Sequence, residues 1–422
     1  MKLCGFNNFK SGLLGEKLGH SFSPQIHDCL CDYSYTLFEK TPEEAEDFLL
    51  NGDFDGINVT IPYKKLAFAV CDEVSDIAAR IGSVNTVIRK NGKLKGFNTD
   101  YYGFTYLVKK GGFDVSKGKT LVLGSGGSSV MACVALSDLG AKEIIVISRS
   151  GENNYDNIYD LHSDASFIIN TTPLGMFPKN GISAVDLERF PKCIGVVDII
   201  FNPSKTKLLL DAQRLGIPHI NGLPMLVAQA KQAFKIFTEQ ISQDGLDNET
   251  PNAKEKIDHI TDKIELQTKN IVLIGMPGSG KSTTGQLIAE KLSRTFVDID
   301  WEVEKKIQMS ICDYFAKFGE PAFRKIEHET LDEFSRKSGL VIATGGGVIK
   351  NPLNYPLLKQ NSTIVMLNRN VHELATDGRP ISMSCSLEKL EKERLPIYNK
   401  WKDFSVECTT PEVTANRIIS EL

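Results

Sequence analysis

The sequence lacks any long apolar run. None approaches the roughly 18 residues that span a bilayer, and IGVVDIIF (194–201) reads as a short buried strand. The first ten residues, MKLCGFNNFK, lack the apolar core of a secretory leader, so a cytoplasmic location is expected. Neither sign of charge dominates. The net charge is −4, with 25 basic and 26 acidic side chains over 1–240 and 24 against 27 over the rest. Neither half offers the basic surplus of a nucleic-acid binder, so neither nucleic acid nor membrane is an expected partner. The nine cysteines (4, 29, 31, 71, 133, 193, 312, 385, 408) form no CxxC pair and no zinc-like cluster. Reduced thiols packed as small apolar groups are expected. Internal repeats and low-complexity segments are missing too. What remains is an ordinary globular composition, 41% apolar and 8% aromatic, in 422 residues, enough for two or three domains.

Two glycine-rich loops stand about 150 residues apart, in KTLVLGSGGSSVMACVALSDLG (119–140) and NIVLIGMPGSGKSTTGQLIAEKL (270–292). Each follows an apolar strand and opens a helix. Between them ISQDGLDNETPNAKEKIDHITDKI (241–264) is polar, charged and nearly free of aromatics, which reads as a linker over 241–267 with a frayed helix near its end. Before it, strands such as GINVTI, SVNTVIR, LVLG, EIIVIS and IGVVDII alternate with helical stretches. That alternation predicts an α/β protein with parallel sheets covered by helices on both faces. LPMLVAQAKQAFKIFTEQ (223–240) has helical spacing and closes the first module.

In the first loop, GSGGSS (124–129), Gly124 allows a tight turn and Gly126 lets backbone approach a diphosphate at the helix N-terminus. Ser125, Gly127 and Ser128 complete the loop, and Ser129 stands where a third glycine is usual. The next strand ends in Ser148, Arg149 and Ser150, with no acid for ribose hydroxyls. A guanidinium and hydroxyls suit a 2′-phosphate, which favours NADP over NAD. The second loop, GMPGSGKST (275–283), satisfies G-x-x-x-x-G-K-[ST]. Gly278, Ser279, Gly280 and Thr283 belong to the cradle for nucleotide phosphates, Lys281 reaches the transferred end, and Ser282 ligates magnesium. TFVDID ends in Asp298 and Asp300, which alternation in an extended strand sends to one face. Asp298 is expected to support the magnesium through water. Arg324 and Glu327, three apart, share a helix face. Gly345, Gly346 and Gly347 end a buried strand where backbone must approach something closely.

Seven segments of the first module, in order, resemble shikimate dehydrogenase. They are GEKLGHSFSPQIHD (15–28), GINVTIPYK (56–64), IGSVNTV (81–87), GFNTD (96–100), NTTPLGM (170–176), VVDIIFNPSKT (196–206) and NGLPMLVAQA (221–230). The resemblance implies reduction of 3-dehydroshikimate to shikimate with NADPH. Ser21 and Ser23 would bind the ring carboxylate, and Thr60, Asn85 and Asp100 the ring hydroxyls. Gln229 and position 201 would lie beside the substrate, Ile199 and Gly222 beside the cofactor. Lys64 would exchange the proton of the developing alkoxide while Asp100 orients it. His20 and His27 would position or pack. Phe201 replaces a tyrosine usual in the family, and Tyr101 replaces a glycine, which is expected to crowd the hinge. Only about twenty residues separate SRS (148–150) from NTT (170–172), so a nucleotide half trimmed by one βα unit near the adenosine end is expected.

The second module resembles shikimate kinase over roughly 268–405, through its phosphate loop, TFVDID, FGEPAFRKIEHETL (318–331), the triple glycine, DGRPIS (377–382) and ERLPIY (393–398). The resemblance implies Asp300 on the reacting hydroxyl, Arg324 and Arg394 on the substrate carboxylate, and Glu327 holding Arg324. Gly346 and Gly347 would line the ring and Arg379 would close over ATP. Bidentate guanidinium–carboxylate pairing is the reason arginines are wanted. Ala375 and Thr376 stand where the lid usually carries another arginine, and RPIS replaces a more apolar RPLL, which bears on lid closure and ATP affinity.

The chain is thus expected to be two-headed. A substrate domain (1–105, completed by 223–240) and a trimmed Rossmann-type NADP domain (106–222) precede the linker and a P-loop kinase domain (268–422). Shikimate from the first head would be phosphorylated by the second, in aromatic amino acid biosynthesis. Monomer and homodimer both stay open. So do two rival readings: an NAD-using quinate/shikimate dehydrogenase fused to another small-molecule kinase, or one head degenerate and regulatory.

Overall fold

The computed structural model describes residues 9–19, 21–30, 33–238, 251–370 and 387–422. The chain divides into two compact units. One comprises Met1–Leu174, Ala184–Phe201 and Asp211–Ile264; the other comprises Gly175–Ser183, Asn202–Leu210 and Glu265–Leu422.

The first unit holds two sheets. One is built from β1 (Lys10–Gly15), β2 (Ser34–Glu39), β3 (Gly56–Val59), β4 (Glu73–Val74), β5 (Thr86–Lys90) and β6 (Lys93–Phe97), in the order β2-β1-β3-β5-β6-β4. β1 pairs in parallel with β2 and β3, but β5 runs antiparallel to both β3 and β6. The expected parallel pairing holds for β1 with β2 and β3 and for β4 with β6, but not for β5, and a turn sets its pairing with β6. Asn91 and Gly92, at φ 52° and 75°, close β5 onto β6. Asn-Gly takes such a two-residue turn readily, so this hairpin was legible in KNGK.

The other sheet of this unit is wholly parallel: β7 (Lys119–Leu123), β8 (Glu143–Ile147), β9 (Phe167–Asn170), β10 (Gly195–Asp198) and β11 (His219–Ile220), ordered β11-β10-β9-β7-β8. β8 is an edge. After it the chain makes a loop and the short Ile158–His162 helix, then crosses to the far side of β7. No strand lies beyond β8 among the described residues, as the shortened spacing implied, although a five-residue helix is kept. The Thr99–Lys110 and Leu223–Phe237 helices pack so closely that a Cβ at Gly103 would lie 2.6 Å from the Met225 carbonyl oxygen.

The segment 241–267, expected as a linker with a frayed helix near its end, is corrected over its described part: the helix is long and packed. Pro251–Thr268 is a helix, and Ile257, Ile260 and Ile264 are buried with Ile26, Leu30, Tyr106, Val227 and Phe234. Asp258 accepts hydrogen bonds from the Tyr106 hydroxyl, at 2.6 Å, and from Lys110. The i, i+3, i+7 stripe of isoleucines was hidden by the charges on the other faces. A single residue, Lys269, separates this helix from the next strand.

The second unit carries one parallel sheet: β12 (Asn270–Ile274), β13 (Phe296–Asp298), β14 (Val341–Ala343), β15 (Ser362–Asn368) and β16 (Phe404–Glu407), ordered β13-β14-β12-β15-β16. Val272, Ile274, Ile342, Ile364 and Met366 enter one core, while Ile271, Leu273, Val341, Val365 and Leu367 enter another. Near-continuous apolar strands are what a sheet covered on both faces requires. Among the described residues no helix is long and apolar enough to cross a membrane. For the corrected segment, Ile260→Ala should lower the unfolding free energy by about 2–4 kcal/mol in urea denaturation of the intact chain. A linker residue would show no such loss.

Candidate active sites

In the first unit, Lys64 opens the Lys64–Val70 helix and Asp100 is the second residue of Thr99–Lys110. Lys64 Nζ donates to Asp100 Oδ2 at 2.5 Å, and both side chains keep partial exposure, 28% and 18%. A charged pair open to solvent on one side can meet a ligand. Buried Asn85 holds the start of the Asp100 helix: its Oδ1 accepts from the Thr99 amide at 2.7 Å and its Nδ2 donates to Thr99 Oγ1 at 3.0 Å. The Thr99 hydroxyl also lies 3.3 Å from Gln229 Oε1, so Asn85, Thr99, Asp100 and Gln229 are brought together. Thr99 was not singled out in the sequence, although a threonine opening a helix ahead of an acid is a readable signal.

Ser21 and Ser23 meet at the start of the Ser23–Leu30 helix, where Ser21 Oγ accepts from the Ser23 amide at 3.2 Å. The Thr60 amide donates to the Leu14 carbonyl, which anchors the stretch leading to Lys64. Phe201 packs its ring against Phe22, with centroids 5.5 Å apart. His27 is enclosed, stacked on Tyr35 and bonded through Nδ1 to the Tyr33 hydroxyl. Burial pushes its pKa down to about 3, so the ring is neutral and packs. His20 lies outside the described residues.

Gly124 turns at φ 106°, and a Cβ there would lie 2.9 Å from the Thr172 side chain. Gly126 caps the Gly127–Asp138 helix, and a Cβ at either Gly126 or Gly127 would meet nothing within 4 Å. Ser125 is exposed and Ser128 half-buried. The helix start thus has open space beside Gly126 and Gly127, which leaves room for a diphosphate. Ser148 and exposed Arg149 follow β8, beside the same sheet. Gly222 allows the closest approach in this half: a Cβ would lie 1.9 Å from the Ile199 carbonyl oxygen.

In the second unit a cavity of about 280 Å³ is lined by Gly278, Gly280, Lys281, Ser282, Thr283, Asp298, Asp300, Arg324, Glu327, Gly345, Gly346, Gly347 and Arg394. Ser279 is buried behind them, and Arg379 with the stretch 377–382 lies outside the described residues. The loop turns on Gly275, Gly278 and Gly280, at φ 146°, 84° and 91°. Lys281 Nζ donates to the carbonyls of Gly275 and Met276 at 3.0 and 2.9 Å. Ser282 Oγ donates to Asp298 Oδ2 at 2.5 Å.

Asp300 reaches the cavity by a different route from the one expected. The strand stops at Asp298, which caps the Ile299–Ile307 helix and accepts from the Asp300 amide at 3.0 Å. Asp300 therefore projects from a first helical turn, and strand alternation does not apply to it. It is half-buried and lines the cavity. Its withdrawal from bulk water, and then the charges of Asp298 and Glu327, push its pKa up to about 7 against the opposing pull of Lys281 and Arg324. The oxygens of Ser282 and the neighbouring carboxylates are hard donors that fit magnesium.

Arg324 NH1 donates to Glu327 Oε2 at 2.7 Å, while its Nε and NH2 reach Glu320 Oε1 at 3.2 and 3.0 Å. Lys350 also donates to Glu320, at 2.9 Å. Glu320 and Lys350 were not expected, although the Glu320/Arg324 spacing of four is a helical ion-pair signal. Arg394 NH1 donates to the Gly346 carbonyl at 2.8 Å; its buried Nε and NH2 have no hydrogen-bond partner among the described residues. A buried guanidinium with two idle donors suits an anion. The glycines make room for these groups. A Cβ at Gly347 would lie 2.2 Å from Arg324 NH2, and one at Gly345 would lie 2.7 Å from Asp300 Oδ1.

Comparison with known proteins bears on both units. The shikimate kinase family model matches residues 277–422, and that of the shikimate dehydrogenase substrate binding domain matches 13–87. A shikimate dehydrogenase (NADP(+)) of Clostridium perfringens (strain SM101 / Type A) is 36% identical over 248 residues, covering 54% of this chain and 91% of the relative. Among solved structures, a chorismate mutase/shikimate 5-dehydrogenase fusion protein from Clostridium acetobutylicum aligns with TM-score 0.56 at 36% identity, over 62% of this chain and 98% of the other. The shikimate 5-dehydrogenase from Thermus thermophilus, in complex with NADP(H) and shikimate, aligns with TM-score 0.52 at 30% identity, over 60% and 99%.

The raised pKa of Asp300 has a sign that can be tested. The folded chain keeps this proton between about pH 4 and pH 7 where the unfolded chain has lost it, so Asp300 costs stability increasingly as pH rises through that window. Asp300→Asn should therefore gain on wild type in unfolding free energy from about pH 4 upward and level off above about pH 7. A difference independent of pH, in paired denaturation curves, would contradict this assignment.

Proposed function

Because the chain belongs to the shikimate dehydrogenase family and carries a shikimate kinase domain at its C-terminus, we propose that it reduces 3-dehydroshikimate to shikimate and then phosphorylates that product. The observation that carries the ordered pair is the second cavity's charge pattern. Cations for a carboxylate line the same cavity as an acid for a hydroxyl, and the product of the first head bears both groups. The kinase match replaces the reading in which the second head is some other small-molecule kinase.

In the first head, Ser21 and Ser23 bind the ring carboxylate, and Thr60, Asn85, Asp100 and Gln229 the hydroxyls. Lys64 gives its proton to the oxygen that becomes an alcohol, and Asp100, 2.5 Å away, keeps that ammonium in place. Phe201 offers a ring edge where a hydroxyl would add one more contact. NADPH would supply the hydride, and the Gly124–Ser128 amides, Ile199 and Gly222 are the residues that would hold it. Ser148 and Arg149 would bind its 2′-phosphate. Relatives named for NADP(+) support that choice.

In the second head, Arg394 and Arg324 clamp the carboxylate, and Glu327 holds Arg324 in orientation. Asp300 takes the proton of the reacting hydroxyl. The loop amides and Lys281 hold ATP phosphates, and Ser282 and Asp298 would hold magnesium. Magnesium, when bound, supplies neutralisation of phosphate charge. The domain limits we infer follow the chain: 1–105 with 223–240 for substrate, 106–222 for NADP and 268–422 for the kinase. The Pro251–Thr268 helix joins the first head in place of the linker.

The test supplies 3-dehydroshikimate, NADPH and magnesium-ATP together and follows NADPH loss and ADP formation. Lys64→Ala should lower the first rate by about 100-fold or more and leave phosphorylation of added shikimate intact, the contribution expected of a positioned proton donor. Lys281→Ala should do the reverse. Loss of both activities in either folded variant would sink the two-site reading. The kinase kcat/KM should also rise with pH through about 7, as Asp300 ionises in the free enzyme. A profile flat from pH 6 to pH 8 would remove Asp300 from the proton-accepting role.

A further inference from the structure

Tyr101, the residue after Asp100, does not simply crowd its surroundings. Its hydroxyl donates to Asp138 Oδ2 at 2.8 Å. Arg80 closes on the same carboxylate with both terminal nitrogens, NH1 to Oδ2 at 2.8 Å and NH2 to Oδ1 at 2.7 Å. Three helices contribute. Arg80 lies in the last turn of Asp76–Ile81, just ahead of Asn85; Tyr101 lies in the first turn of Thr99–Lys110. Asp138 ends Gly127–Asp138, the helix whose other end carries the glycine loop.

A carboxylate at a helix C-terminus meets the negative end of the dipole, so Asp138 is favoured there by its donors and not by its own helix. The Arg80–Asp138 pair is substantially exposed, at 46% and 32%, and pairs of that kind add little to stability. Tyr101 by contrast is buried, its ring in one cluster with Phe104, Met131, Ala132 and Ala135. The contact is directional and cheap to lose, which suits a part that sets orientation.

We propose that Arg80, Tyr101 and Asp138 form a clasp that sets the angle between the cofactor-binding helix and the Lys64–Asp100 pair, and with it the hydride-transfer distance. The proposal rests on the dehydrogenase reading above. All three are positioning residues. The twelve-residue Gly127–Asp138 helix is a lever about 18 Å long. Pinned at Asp138, it swings its glycine end relative to Asp100, so a small change of angle at the pin shifts the cofactor against the substrate. Tyr101 ties the pin to the backbone neighbour of Asp100, and Arg80 ties it to the segment that leads into Asn85.

The experiment uses the full chain with Tyr101→Phe, Asp138→Asn, Arg80→Met and the Tyr101→Phe/Arg80→Met double variant. Dehydrogenase kcat and both KM values are measured with NADPH and with NADPH deuterated at the transferred position, and kinase turnover serves as the folding control. In each single variant kcat should fall by about tenfold with both KM values within about twofold, as expected for misplacement without lost binding. The isotope effect should change, kinase turnover should stay, and the double variant should fall short of the product of the singles. Unchanged kcat with only a lower Tm would overturn the clasp, and so would a raised KM at constant kcat. A wild-type chain that fails to oxidise NADPH with 3-dehydroshikimate would overturn the dehydrogenase reading, and the clasp with it.

Discussion

Keeping acidic side chains together around one cavity is the constraint on which the second unit is organised. Asp298, Asp300 and Glu327 share a wall, and each loses hydration there while repelling the others. The surroundings answer this point by point. Lys281 stands at the start of its helix, Ser282 donates to Asp298, the Asp300 amide donates to Asp298, and Arg324 binds Glu327. Gly345 and Gly347 belong to the same solution, because a Cβ at either would occupy the space of Asp300 or Arg324. The compensation is incomplete. Among the described residues, Arg394 Nε and NH2, and Glu327 Oε1, are buried without hydrogen-bond partners, so polar capacity is left over for a ligand.

The first unit handles its reactive pair differently. Lys64 and Asp100 stay partly exposed, so the compensation needed is small, and neutral amide–hydroxyl bonds among Asn85, Thr99 and Gln229 do the positioning. Yet the two heads share one local device. Each reactive acid is the second residue of a helix, and a side-chain oxygen from the preceding structure accepts a backbone amide at that helix start: Asn85 for Thr99, Asp298 for Asp300. The acid then sits at the positive end of the helix dipole with its direction set by the cap.

Much of this was readable from residue order. Both phosphate loops, the Arg324/Glu327 pairing and the shortened run after β8 depend on spacing within a few turns of chain, and local spacing is what a sequence states directly. The misses share a cause as well. The Pro251–Thr268 helix looked like a linker because charges outnumber its three isoleucines, and only the presence of Ile26, Tyr106 and Phe234 shows what the stripe covers. The β5–β6 hairpin was signalled by Asn91-Gly92 but was outvoted by the strand–helix rhythm around it. Asp300 was placed on the right face by the wrong argument, since nothing in TFVDID says that the strand stops two residues early.

Composition, motif order and local spacing determined by themselves that this is an α/β chain with a dinucleotide-type half, a P-loop half and a set of candidate site residues in each. Those properties reside in short peptides whose glycines, caps and charged side chains act on near neighbours. The tertiary structure alone decided which distant groups share an environment. Thr99 meets Gln229 across 130 positions of sequence, Arg394 comes to rest with idle donors against Gly346, and Arg80, Tyr101 and Asp138 converge on one carboxylate. Burial and convergence depend on packing between elements far apart in the chain, and no local pattern carries that information.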